Sequence, residues 1–90
     1  MKAKEAYIKQ FVKDRNEALL SFDKEKIIAH FKKYDIPNPY DIYPKDFQYA
    51  DCIFWGSVAK SVCHIANAPQ EALDRARQIL KEYGLSEEIK

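Results

Sequence analysis

The segment from Asp46 to Asn67, DFQYADCIFWGSVAKSVCHIAN, constrains this chain more than any other. It is long, mostly apolar and periodic. At about 100° per residue, Phe47, Asp51, Phe54, Val58, Val62 and Ile65 fall on one face, with Trp55 at its flank. Tyr49, Ile53, Gly56, Lys60 and His64 fall on the other side. A helix that is apolar over much of its circumference belongs at the centre of a helical fold. Yet Asp51 sits in the middle of the oily face. A buried carboxylate needs a partner, because desolvating a lone charge is costly.

One partner is on offer. A first predicted helix runs from about Lys2 to Leu20, with Ile8, Phe11, Val12, Ala18, Leu19 and Phe22 on one face and Arg15 at the centre of that stripe. Opposite charges on two apolar faces predict an Arg15–Asp51 ion pair that decides which helix faces which. The competing reading makes Arg15 a hook for an anionic ligand.

Two more helices follow from periodicity. Residues 24–34 carry Ile27, Ile28, Phe31 and Tyr34 on one side, with Ser21 or Asp23 able to cap the start. Residues 69–83 carry Ala72, Leu73, Ala76, Ile79, Leu80 and Tyr83 as a stripe. Pro69 suits the first turn, Gly84 reads as the left-handed stop, and Leu85 folds back on the last turn. The central helix spans about residues 45–66. Between the second and third helices lies DIPNPYDIYPK, where Pro37, Pro39 and Pro44 argue against a regular helix. Its Ile36, Tyr40, Ile42 and Tyr43 are apolar enough to lie across the fold. The expectation is one all-α domain over residues 1–90, a compact bundle of four helices with a proline-rich loop.

The bulk properties narrow the function classes. Ninety residues with 32% charged side chains and two glycines read as globular, not disordered or β-rich. Net charge is +1, which disfavours a dedicated non-specific nucleic-acid binder. Residues 1–45 hold ten Lys/Arg against seven Asp/Glu, and residues 46–90 hold five against seven, a mild asymmetry. Cys52 and Cys63 lie on one helix, roughly 16 Å apart and too far for a disulfide. Free thiols fit a reducing, cytoplasmic setting. No signal-like opening and no apolar run of about 18 residues is present, so neither secretion nor membrane spanning is expected.

The chemistry-bearing residues do not converge in sequence. Zinc ligands usually come at CxxC or HxxxH-like spacings, which Cys52, Cys63, His30 and His64 lack. No metal or other cofactor is expected. Ser61 and His64 are helical neighbours, but no glycine elbow supports a nucleophile, so no enzyme is expected. Gly56 and Gly84 cannot build a phosphate loop. Lys9, Lys13, Lys24, Lys26, Lys32 and Lys33 are interleaved with acids, the pattern of a solvated face. The proline connection is a poor match to a helix-turn-helix.

The aromatic set is denser than a small core needs: Tyr34, Tyr40, Tyr43, Tyr49 and Trp55. The structural reading pins the proline segment to the bundle with tyrosines. The functional reading makes a partner surface from Tyr40, Tyr43, Tyr49, Ile53 and Lys60. Gly56 in mid-helix costs about 1 kcal/mol relative to alanine, and close approach of another backbone, even a copy of this chain, would justify it.

In EAYIKQFVKDRNEALLSFD, KYDIP, FWGSVAK and ARQILKEYGLS the chain resembles short open reading frames of prophages and mobile elements in Gram-positive gut bacteria. The resemblance covers most of the chain and departs at residues 38–50. It carries no functional residue across. It implies an accessory gene, of the kind whose small products often bind and block a host factor. The leading expectation is a protein-binding module acting on a host or phage protein. A nucleic-acid-associated regulator and a homo-oligomer holding a small anionic ligand are the alternatives.

Overall fold

The computed structural model describes residues 2–85, all-helical with no strand among them. Five helices follow one another: α1 (Lys2–Ser21), α2 (Lys24–Lys33), α3 (Pro39–Ile42), α4 (Phe47–Cys63) and α5 (Gln70–Glu82). Contacts divide the chain after Ile36 into two units, α1–α2 and α3–α5.

The fifth helix is a correction to the four expected, and it lies inside the proline segment. Pro39 takes the first helical position, where its missing N–H costs nothing, and the Asn38 side chain accepts from the Tyr40 backbone N–H. Pro37 and Pro44 stay outside helices. A proline therefore starts this turn instead of forbidding it.

In the first unit, Asp23 caps α2 by accepting from the N–H groups of Glu25 and Lys26 at 3.0 and 3.4 Å. Lys32 and Lys33 lie at its negative end, where the helix dipole favours cations. The Ser21 hydroxyl serves the turn instead, donating to the Ala18 carbonyl and accepting from the Asp23 N–H. Ala18, Leu19, Phe22 and Ile27 are buried. The N-terminal half of the α1 stripe is not: Tyr7, Ile8 and Val12 are exposed.

In the second unit, Asp46 caps α4 through the Tyr49 N–H at 3.1 Å. Ala50, Phe54, Val58, Ala59, Val62 and Ile65 of α4 and its exit are buried, as are Ala72, Ala76 and Leu80 of α5. Helix α4 ends at Cys63, earlier than expected, and the chain turns through Asn67 at φ 61°. Helix α5 ends as predicted. Gly84 is left-handed at φ 67°, and the N–H groups of Gly84 and Leu85 return to the carbonyls of Lys81 and Leu80 at 3.1 and 2.8 Å. Helix α2 ends by the same pair of bonds, from Asp35 to Lys32 and from Ile36 to Phe31, with Asp35 taking the positive φ that glycine usually takes.

Candidate functional site

Asp51 is the node of the second unit. Its Oδ1 accepts the Tyr40 hydroxyl of α3 at 2.6 Å, and its Oδ2 accepts the Tyr83 hydroxyl at the end of α5 at 2.9 Å. One carboxylate on α4 thus ties both neighbouring helices to it. Burial, and then the bond to a carboxylate that stabilises the protonated phenol, push the Tyr40 pKa up and raise that of Tyr83 to about 12. Both phenols stay protonated donors through the physiological range. Sequence reasoning placed Tyr83 on the buried stripe but missed its hydroxyl, because no periodicity shows which polar tip reaches an acid on another helix.

Arg15 lies in the first unit and Asp51 in the second. Within its own unit the Arg15 guanidinium donates to the neighbouring Asn16 Oδ1 from Nε and Nη2, at 3.2 and 3.1 Å.

Above Asp51, the corner where α3 passes into α4 presents aromatic side chains to solvent. Ile42 is 53% exposed, Tyr43 37%, Phe47 63% and Tyr49 50%. The rings brace one another: Tyr43 meets Tyr49 edge-on with centroids 4.8 Å apart, and Tyr40 stacks on Phe47 at 5.6 Å while touching Phe54 at 5.2 Å. The structure therefore brings together Tyr43 and Tyr49 of the predicted surface, while Tyr40 packs on Phe47 and Phe54 and commits its hydroxyl to Asp51. Ile42 and Phe47 were missed. Phe47 was expected in the core, but it occupies the first turn of α4 and overhangs the packed part of the helix.

The remainder of the predicted surface, Ile53 and Lys60, is half-buried, and Gly56 between them is buried. Here the sequence reading of Gly56 is corrected. A Cβ on Gly56 would lie 2.6 Å from Leu85 Cδ1. The close approach that excludes a side chain comes from the chain's own residue beyond α5.

The first unit holds a separate cluster. The Asp14 carboxylate accepts from Tyr34 Oη, from Lys33 Nζ at 2.9 Å and from Gln10 Nε2 at 2.8 Å. These donors, Tyr34 first, hold its pKa down at about 2. His30 is buried among the rings of Phe11, Phe31 and Tyr34, and neither of its nitrogens has a hydrogen-bond partner among the described residues. Burial lowers its pKa, and the charges of Arg15 and Lys33 add to that against the opposing pull of Asp14. A groove of about 430 Å³ runs past Asp14, Lys26, His30 and Lys33, and another of about 320 Å³ lies between Trp55, Arg75 and Tyr83.

Among the described residues no three His, Cys, Asp or Glu side chains converge on a metal position, and no helix is long and apolar enough to cross a membrane. Cys52 and Cys63 form no disulfide among the described residues. Compared with family models, curated proteins and solved structures, the chain matches none.

Proposed function

We propose that this protein is a binding module that acts by occupying the surface of a protein partner with the α3–α4 corner. The observation that carries the reading is the run of four exposed large apolar side chains, Ile42, Tyr43, Phe47 and Tyr49, within residues 42–49. Large apolar side chains left exposed close together in a chain are a mark of an interaction site. Tyrosine and phenylalanine give much contact area for little lost rotamer freedom, and rings already packed on one another have less still to lose. Tyr43 and Tyr49 supply contacts at the corner, Tyr40 supports Phe47, and Ile53 and Lys60 extend the surface along α4. With the resemblance to prophage reading frames, this makes the protein an accessory factor of a phage or mobile element. Its target would be a host protein, including a defence factor, blocked by simple coverage.

The test is capture from a lysate of a Gram-positive gut bacterium by the tagged chain, with and without nuclease. The Phe47→Asp, Ile53→Asp and Lys60→Glu variants serve as controls. A partner that survives nuclease and is lost with Phe47→Asp, at unchanged helix content, supports the reading. Equal capture by all three variants places the interface elsewhere. Recovery of nuclease-sensitive material alone would favour the lysine-rich helices α1 and α2 as a phosphate-tracking surface.

A further inference from the structure

We infer that His30 makes the α1–α2 unit a proton-operated latch: protonation of its imidazole releases α2 from α1 and uncovers the apolar side of both helices. The latch lies in the first unit and is independent of the α3–α4 corner.

The His30 ring is only 6% exposed. It sits against Phe11 of α1 and against Phe31 and Tyr34 at the end of α2, with ring centroids 5.6, 6.2 and 5.0 Å away. Neither ring nitrogen has a hydrogen-bond partner among the described residues. A neutral imidazole can be held this way. An imidazolium has two N–H donors and a full charge, and burying both without acceptors is far costlier.

The charged groups around the ring do not offset that cost. Asp14 of α1 draws the proton on, but its carboxylate already accepts from Tyr34, Lys33 and Gln10. Arg15 of α1 and Lys33 of α2 repel a cation here. Glu17 and Lys26, on the groove that His30 lines, are exposed and of opposite sign. A protonated ring is therefore stable only outside the cage. Because the cage includes Phe11 of α1, leaving it parts the helices. Parting them frees Ile27, fully buried in the closed unit, and the half-buried rings of Phe11 and Phe31. These extend a row that α1 already exposes: Tyr7 and Ile8 lie one turn before Phe11, and Val12 one turn after Ile8. The second unit has no counterpart, since its histidine, His64, is exposed.

The test is amide hydrogen exchange of the whole chain at about pH 7.5 and about pH 5.5, on either side of the range in which histidine titrates. Each run is paired with His30→Leu, so that the intrinsic pH dependence of exchange cancels. Relative to the variant, the α2 amides of the native chain should exchange about tenfold faster at the lower pH, because opening becomes about tenfold easier per pH unit between the free and the buried midpoint. Amides of α4 and α5 should keep one ratio at both pH values. An α2 ratio that does not move with pH overturns the inference, and so does equal acceleration of α4 and α5, which marks global unfolding. A proton NMR titration of the native chain decides the matter even where His30→Leu fails to fold. A His30 midpoint below the ordinary 6.5 is expected. One at or above it would mean that the rings stabilise the imidazolium as a cation–π cage, and the latch is then refuted.

Discussion

Replacing Gly56 by alanine separates two accounts of why a glycine sits in the middle of α4. Helix propensity alone predicts that Gly56→Ala stabilises by about 1 kcal/mol. The structure adds an opposing effect. The new Cβ would lie 2.6 Å from Leu85 Cδ1, whereas carbon atoms in contact sit at about 3.5–4.0 Å, so the leucine methyl must withdraw by roughly an ångström. The atom in the way is the tip of a leucine side chain, which can rotate aside. Leu85 is half-buried, so leaving the notch forfeits about half of the 1.5–3 kcal/mol that full burial of a leucine contributes, or about 1 kcal/mol. The two effects nearly cancel. Gly56→Ala should therefore change stability by less than about 0.5 kcal/mol in the native background and stabilise by about 1 kcal/mol in a Leu85→Ala background. The coupling energy is about 1 kcal/mol. Urea melts followed by fluorescence read it directly, because Trp55 is the single tryptophan and lies on α4 itself. An equal gain in both backgrounds would mean that Leu85 does not fill the notch. A loss of several kcal/mol in the native background would mean that something more rigid than a leucine tip stands behind Gly56.

Two other outcomes follow from the site. Tyr83→Phe deletes one hydrogen bond to a carboxylate in a half-buried setting and should cost about 1.5 kcal/mol, whereas Asp51→Ala strands both phenols and should cost about 3 kcal/mol; urea melts in which the two variants are equal would refute Asp51 as the shared acceptor. Acid should weaken the α1–α2 unit in two stages. His30 has a folded pKa below its ordinary 6.5, so its stabilising contribution is complete above that pH and declines as the pH falls through the folded value. Asp14, depressed from 3.8 to about 2, contributes above about pH 4 and is lost as the pH drops through 2. A proton NMR titration placing the His30 midpoint at or above 6.5 would refute its burial among the rings.

Much of the fold was legible because it is local. The α5 stripe and its left-handed stop at Gly84 depend on residues within a turn or two of one another and stand as read, and of the two caps on offer for α2 the structure takes Asp23 over Ser21. Other boundaries were hidden because their signals lie in unusual residues. Phe22 and Asp35, just past α1 and α2, adopt the positive φ that ends a helix without being glycine, and Pro39 opens a helical turn that proline was expected to prevent. The outer tyrosines could be picked out as surplus to a small core, but Ile42 and Phe47 could not. Periodicity assigns a residue to a helix face and does not say how far along that face the neighbour reaches.

What the sequence determined by itself is the all-helical class and the four longer helices, because capping and 3.6-residue periodicity act within a turn or two of chain. What only the tertiary structure decided is which polar tip and which small residue meet across helices. Tyr40 and Tyr83 reach Asp51 across 11 and 32 residues of chain, and Leu85 comes to rest over Gly56. These partners are chosen by the packing of α3 and α5 against α4, and no pattern along one helix carries that information.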